Sequence, residues 1–393
     1  MISVEQAKQT VVDNVDVIQN SELKLVTEAS GCTLSRDIIS PINMPPFRQS
    51  AMDGYALSLH EDNTYTINGE VKAGDHHHPK LKTGEAIRIF TGAPVPDSAN
   101  AVIMQEKTRA DNYTLIIDTN VSINDNIRAL GEQVTKNELA LHKGTQLTSA
   151  ALAFLTSLGI TEVQVYKKPS IAIIVTGNEL AEAGQSLKYG QIYESNALML
   201  KTALNNLGHK KVALFKVADN YVDTLRLLDA TISNHDMILV SGGISVGDYD
   251  FVGKALQELK VKQLFYKVKQ KPGKPLFFGK KDGTIIFALP GNPGAALSCF
   301  YVYVYIALQS MSGNSNLSLA NTIAKSKTDY IKKGDRGQFL KAIYYNGTVE
   351  ILDGQNSSML HTFALANALV YLPETSDSIK QDDNVEVIIL PIN

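Results

Sequence analysis

Three apolar runs, each leading into a glycine-bearing loop, constrain this 393-residue chain more than any other feature. They are "SIAIIVTGNEL" from Ser170, "HDMILVSGGISVGDYD" from His235 and "GTIIFALPGNPGAALSCF" from Gly283. Helical patterns lie between them: "SNALMLKTALNNLG", with Ser195 or Asn196 as its cap and Gly208 as its stop, and "FVGKALQEL". Apolar strands that alternate with helices predict a parallel sheet covered on both faces. The loops that follow such strands gather at one edge of the sheet, the edge at which open α/β sheets bind ligands.

The flanking segments read differently. The chain opens with a helix, because Ser3 and Gln6 have capping-box spacing and Val4, Ala7, Val11, Val12 and Val15 form an apolar stripe. From about 60 to 145 the runs "TYTINGEV", "EAIRIF", "AVIMQ" and "YTLIIDT" predict a small β-rich module. "TSAALAFLTSLGI" follows as a helix closed by Gly159. Beyond about 318, "QFLKAIYYNGTVEIL", "ALVYLPE" and "NVEVIILP" predict a C-terminal β-domain, with "YNGTV" as a hairpin turn. The expected fold is therefore a multidomain α/β protein, since the chain is too long for one ordinary domain.

Composition excludes several classes. A net charge of -3 without a basic run gives no support to nucleic-acid binding. Cys32 and Cys299 form no CxxC, which argues against a disulfide framework or a cysteine-rich zinc site. The acidic, amphipathic N-terminus is not a secretory signal. "GAALSCFYVYVYIALQ" falls short of the roughly 18 residues a membrane span needs and reads as a buried core helix. No membrane partner is expected, and the expected location is cytoplasmic.

Four loops carry the chemistry. Gly242 and Gly243 of "SGGISVGDYD" would let backbone N–H groups approach a phosphate, with Ser241 and Ser245 as further donors. "LPGNPGAA" offers a second glycine loop, opening a helix. Lys269, Lys271 and Lys274 flank a Pro-Gly turn and supply positive charge for an oxyanion. Glu179 of "VTGNEL", Asp248 and Asp250 are hard oxygen ligands suited to Mg²⁺, which usually bridges carboxylates and substrate phosphates. Together they predict a site for a phosphorylated ligand and a divalent cation. None of the loops is a Walker motif or a GxGxxG, so neither a P-loop NTPase nor a Rossmann dehydrogenase fits. Upstream, "PPFRQSAMDGYAL" places Asp53 on a loop stiffened by proline. "HHH" at 76–78 reads as surface loop, because adjacent side chains on an extended segment point to opposite faces.

The ordered set "PPFRQSAMDGYAL", "TGAPVPDSANAVIMQE", "VTGNEL", "SGGISVGDYD", "KPGKP" and "LPGNP" resembles the molybdopterin molybdenumtransferase family, the MoeA proteins and the E domain of gephyrin, over essentially the whole chain. The resemblance implies four domains in an elongated, homodimeric subunit: 1–18 with 169–317, 19–45 with 138–168, 46–137, and 318–393. It implies a reaction of adenylylated molybdopterin with molybdate, needing Mg²⁺ and releasing AMP. It carries catalytic roles to Asp53, Thr91, Glu179, Asp219, Asp250, Lys267 and Lys271. Substrate-binding roles fall on Arg128, Ser241, Gly242, Gly243, Ser245, Lys274, Pro290, Pro293, Arg336 and Ser357, with Ser358 nearly as good a match. Glu179 and Asp250 are the implied Mg²⁺ ligands. In the implied dimer the β-rich module leans over the partner's α/β edge, which brings Asp53 to the phosphates. Molybdopterin adenylyltransferase and recipient molybdoenzymes are the implied protein contacts.

Two positions depart from the family pattern. Gln133 stands where an acid is usual, and it can be neither an anionic ligand nor a base, which leaves Glu132 as the nearby acid. Asn178 stands where Asp is frequent. An adenylyltransferase would share the α/β fold but is essentially a single domain. A scaffold, or a pterin-binding protein with a dead site, is the non-catalytic alternative.

Overall fold

The computed structural model describes residues 1–244 and 251–392. The chain forms two compact units, Met1–Glu22 with Gly31–Thr33 and Val165–Asn393, and Leu23–Ser30 with Leu34–Gln164.

The first unit is built on the expected sheet. Its elements are β1 (Ile171–Thr176), α1 (Asn196–Asn206), β2 (Val212–Val217), α2 (Tyr221–Ile232), β3 (Met237–Ser241), α3 (Phe251–Glu258), β4 (Lys262–Tyr266), β5 (Phe277–Lys281) and β6 (Thr284–Leu289). The strand order is β2-β1-β3-β6-β5-β4. The first four strands are parallel, and β5 and β4 extend the sheet antiparallel. The three apolar runs are β1, β3 and β6, adjacent at the centre.

Side-chain alternation explains why these strands show no polar face. Ile171, Ile173 and Val175 of β1 point into a core shared with Val4, Ala7 and Val11 of the N-terminal helix and with Leu200 and Leu204 of α1. Ala172 and Ile174 point the other way, against Leu228 and Ile232 of α2 and Val252 and Leu256 of α3. Truncating a residue such as Ile173 to Ala would cost about 2–5 kcal/mol.

The helix ends follow the sequence with one correction. Ser3 and Gln6 form the reciprocal capping box of Val4–Asn14. Gly208, at φ +79°, ends α1. At the start of α1, however, neither Ser195 nor Asn196 caps by its side chain; Glu194 Oε1 accepts from Ala197 N at 2.9 Å instead. The apolar run after Asn292 is also longer than it reads. The helix Pro293–Met311 has 19 residues and is apolar enough to cross a membrane by length and composition. It is a core helix, mostly buried, with a π-helical stretch at Phe300–Val304.

The end of this unit is a ring of five strands: Gly337–Tyr345, Thr348–Ile351, Asn321–Ser326, Asn384–Ile389 and Ala368–Leu372, the last pairing back to the first. Closure covers most of the strand edges, although Asn321–Ser326 meets Thr348–Ile351 over only the pairs Lys325–Thr348 and Ser326–Val349. The expected hairpin turn is present, with Asn346 and Gly347 both at positive φ. A two-residue strand, Gln270–Lys271, pairs with the start of Gly337–Tyr345 and ties the lysine turn to this ring.

In the second unit the β-rich module is a six-stranded sheet ordered Ala101–Met104, Gly54–Leu57, Glu85–Ile89, Thr64–Val71, Thr114–Ile117, Thr108–Asp111. Its apolar residues divide between the two faces, with Ala56, Ile87 and Val102 on one and Leu57, Tyr65, Ile103 and Leu115 on the other. The helix Ser149–Ser157 is capped by Thr148 and followed by Gly159 at φ +76°.

Candidate active site

At the C-terminal ends of β1, β3 and β6 the first unit opens a cavity of about 640 Å³. Thr176, Gly177 and Glu179 wall it after β1, Ser241, Gly242 and Gly243 after β3, and Pro290, Gly291, Asn292 and Pro293 after β6. Asp219, Asn196 and Pro275 also line it. The loops predicted to share one edge therefore do so.

Glycine is required where these loops meet. Gly242 has φ +92°, and a Cβ there would lie 2.6 Å from the Thr176 carbonyl oxygen. At Gly243, φ +63°, it would lie 2.7 Å from Val252 Cγ2 and 2.8 Å from Thr176 Cγ2. The paired glycines thus let the loop after β3 lie against the end of β1, and their main chain forms the cavity wall.

Of the three acids that line the cavity among the described residues, Glu194 caps α1, and the other two stand differently. Asp219 is committed: Oδ1 accepts from Thr176 Oγ1 at 2.6 Å and Oδ2 from Asn178 N at 3.2 Å. Asn178 Oδ1 accepts in return from Asp219 N at 3.1 Å, so Asn178 and Asp219 lock each other's turns. A second carboxylate at 178 would add like-charge repulsion beside Asp219, which the amide avoids. Glu179 is exposed, and its carboxylate has no hydrogen bond or ion pair among the described residues. It folds back over Gly177, where a Cβ would sit 2.8 Å from both oxygens. Such an acid is open to a cation. Asp248, Asp250 and Ser245 lie outside the described residues.

The lysine turn stands at the margin of the cavity, which Pro275 lines. Lys271 and Lys274 have no acid partner among the described residues. Lys269 does: it pairs with Glu374 at 2.9 Å and Asp335 at 4.0 Å, which holds its ammonium pKa above the usual value. That removes Lys269 from the oxyanion set. Lys267, half-buried at φ +69°, places its ammonium 4.8 Å from the Tyr266 ring centroid. Arg336 donates from Nη1 to the Gln270 carbonyl at 3.2 Å. Ser357 meets the loop after β6: its carbonyl accepts from Ala295 N at 3.1 Å and its Oγ from Asn292 Nδ2 at 3.0 Å. Gly294 permits this approach, since a Cβ there would lie 2.8 Å from the Ser357 carbonyl oxygen. Ser358 is exposed and makes no such contact with that loop.

In the second unit Asp53 and Thr91 meet as a pair. Thr91 donates to Asp53 Oδ1 from its backbone N at 2.7 Å and its Oγ1 at 2.8 Å. These bonds, chiefly the backbone one, with a smaller contribution from Arg88, hold the Asp53 carboxyl below its usual pKa. Gly54 fixes the loop, because a Cβ would fall 1.8 Å from the Ile103 carbonyl oxygen of the neighbouring strand. Arg88 packs between the Tyr55 and Phe90 rings and donates to the Gly54 carbonyl at 3.0 Å. Arg128 is exposed on a short strand paired with Gln49. Gln133 and Glu132 are both exposed, and Glu132 Oε2 accepts from Ala129 N at 3.0 Å within its own turn. His76, His77 and His78 are exposed on a loop. Among the described residues no group of three or more His, Cys, Asp or Glu is placed to hold a metal ion.

Three residues stand out only in the fold. Asn196, read from sequence as a helix cap, spends its amide on the cavity: Nδ2 donates to Ser241 Oγ and to the Gly291 carbonyl, both at 2.8 Å. Lys341 is buried and donates to the carbonyls of Gly354, Met359 and Asn356 at 2.8, 3.1 and 3.2 Å, which holds the segment bearing Ser357. Gln270 is fully buried beside the lysine turn. Lys341 shows in sequence only as a polar residue in an apolar-patterned stretch, which specifies no partner, and Gln270 stands among lysines with no signal of its burial.

Comparison with known proteins agrees along the chain. Residues 2–159 match the MoeA N-terminal region (domain I and II), 172–310 a family described as "Probable molybdopterin binding domain", and 324–390 the MoeA C-terminal region (domain IV). A molybdopterin molybdenumtransferase of Haemophilus influenzae is 33% identical over 398 residues, covering 98% of each chain. One of Staphylococcus epidermidis is 30% identical, covering 100% of this chain and 96% of its own. The crystal structure of the molybdopterin biosynthesis MoeA protein of Pyrococcus horikoshii superposes with a TM-score of 0.86 at 29% identity, covering 99% of this chain and 100% of that one. A molybdenum cofactor biosynthesis protein of Pyrococcus furiosus shares the fold at 18% identity, with a TM-score of 0.62.

Proposed function

The chain belongs to the molybdopterin molybdenumtransferase family, and from that premise we propose that it inserts molybdenum from molybdate into adenylylated molybdopterin, with Mg²⁺, releasing AMP. It is a transferase of molybdenum cofactor biosynthesis. The observation that carries the finer reading is the glycine-walled cavity at the ends of β1, β3 and β6, with an uncommitted carboxylate, Glu179, on its wall among the described residues and a lysine turn at its margin.

Each part suits this chemistry. The backbone at Gly242, Gly243 and Gly291 allows close approach of a phosphate-bearing ligand. A Mg²⁺ held by one or two carboxylates and by substrate phosphates fits a wall with a free Glu179 and no three-acid cage among the described residues. When bound, that ion would neutralise phosphate charge. Asp219 keeps the Glu179 turn in place through Thr176 and Asn178. Lys271 and Lys274 would hold molybdate as an oxyanion. Asp53, kept ionised by Thr91, is the second acid assigned to the P–O cleavage. Phosphoryl chemistry of this type needs positioning and charge neutralisation more than a covalent nucleophile. A homodimer and a cytoplasmic location belong to the same proposal.

The test is to incubate the purified protein with adenylylated molybdopterin, molybdate and Mg²⁺. Equimolar AMP and molybdenum-bearing pterin are expected. Parallel incubation with ATP and molybdopterin separates the adenylyltransferase alternative. Adenylylated pterin forming there, with no AMP released in the first reaction, would overturn the proposal.

A further inference from the structure

Gln270 uses both ends of its carboxamide inside the protein, directly beneath the lysine turn. Its Nε2 donates to the Gly273 carbonyl at 3.1 Å and to Cys299 Sγ at 3.4 Å. Its Oε1 accepts a short hydrogen bond from the Tyr303 hydroxyl. Cys299 and Tyr303 are fully buried on the helix Pro293–Met311. Burial pushes the Cys299 thiol up to about 12 and the Tyr303 phenol upward as well, so neither becomes an anion near neutral pH. The main chain of Gln270 is held too. It pairs with Gly337, and its carbonyl accepts from Arg336.

The turn is pressed onto this carboxamide. Gly273 has φ +83°, and a Cβ there would lie 2.5 Å from Cys299 Sγ and 3.0 Å from Gln270 Nε2. On either side of Gly273 stand Lys271 and Lys274, the two lysines of the turn without an acid partner among the described residues. Among the described residues no acid holds their ammonium groups, and the backbone of the turn sets where they start from. That backbone is anchored to the helix chiefly through the Gln270 carboxamide, with a longer contact of 3.9 Å from Cys299 Sγ to the Gly273 carbonyl.

We propose that Gln270 is a positioning residue: its carboxamide fixes the 271–274 turn on the helix Pro293–Met311 and so sets where the Lys271 and Lys274 ammonium groups meet the oxyanion substrate. This rests on the reading that those lysines hold molybdate. Gln270→Met keeps the volume and removes both polar ends, leaving the Gly273 carbonyl only its long contact with Cys299 Sγ and taking from the Tyr303 hydroxyl its acceptor. The turn then relaxes. Displacement of a positioning group by about 1 Å can cost on the order of a hundredfold in rate or affinity.

The experiment measures steady-state AMP release against molybdate concentration for wild type, Gln270→Met, Tyr303→Phe and Lys271→Met, with thermal melting of each. Gln270→Met is expected to raise the KM for molybdate by about tenfold with little change in kcat, and Tyr303→Phe by less. A folded Gln270→Met with an unchanged KM overturns the proposal. If Gln270→Met does not fold, Tyr303→Phe decides in its place: a raised KM supports the proposal and an unchanged one overturns it. Lys271→Met separates the two readings. If it leaves the KM unchanged, the assignment of the lysines fails. If it raises the KM while Gln270→Met does not, the role of Gln270 alone fails.

Discussion

Thr91 donates twice to a single oxygen of Asp53, from its backbone N at 2.7 Å and its hydroxyl at 2.8 Å. The pair joins residues 38 positions apart. It leaves Asp53 Oδ2 without a protein partner among the described residues. An exposed carboxylate held in this way is oriented and stays ionised to lower pH than a free one.

Thr91→Val tests that relationship. The backbone bond survives and the hydroxyl bond is lost, so the Asp53 pKa is expected to move back toward its ordinary value. The acid limb of the rate profile for AMP release should then shift to higher pH, with a smaller change at neutral pH. An acid limb that stays in place would mean that Asp53 ionisation does not govern the reaction.

Gly54→Ala addresses the scaffold beneath Asp53. The added methyl would fall 1.8 Å from the Ile103 carbonyl oxygen, between two paired strands that have no room to part. A loss of about 1–3 kcal/mol or more is expected, read as a lowered urea midpoint. An unchanged midpoint would contradict the close packing of this strand.

His209 predicts the response of the first unit to acid. Burial, with Lys168 nearby, lowers its pKa from 6.5 to about 3. As a depressed group, it contributes stability that is complete above pH 6.5 and is lost as pH falls toward about 3, because the unfolded chain takes up a proton that the folded chain refuses. The slope from this one residue is on the order of 1 kcal/mol per pH unit within that window. His209→Leu should flatten the fall in denaturation midpoint between neutral and mildly acid pH. Parallel curves for variant and wild type would rule out the buried neutral imidazole as the cause.

The core of the fold was legible because its physics is local. β1, β3 and β6 bury both faces, so each reads as an unbroken apolar run, and the glycines after them mark the tight loops at the strand ends. The capping box of Ser3 and Gln6 and the Asn346 and Gly347 turn are likewise written in short spacings. The closed ring of strands at the end of the chain was not legible, since closure depends on Gly337–Tyr345 pairing with both Thr348–Ile351 and Ala368–Leu372. Asn196 misled for a related reason. Its position suggested a cap, but Glu194 supplies the cap and the Asn196 amide bridges Ser241 and Gly291. Gln270 and Lys341 were invisible as structural centres, because a buried polar side chain acquires its meaning only from partners that tertiary packing brings to it. Lys269 shows the converse. It shares the lysine turn in sequence, yet Glu374 takes it out of the site.

The most direct measurement is single-turnover AMP release by Glu179→Gln, with adenylylated molybdopterin, molybdate and Mg²⁺. The account predicts that the variant still binds the nucleotide-linked pterin and that its rate falls by about a hundredfold or more. Release of AMP at the wild-type rate would contradict it, because the uncommitted carboxylate on the glycine-walled cavity among the described residues would then have no part in the chemistry.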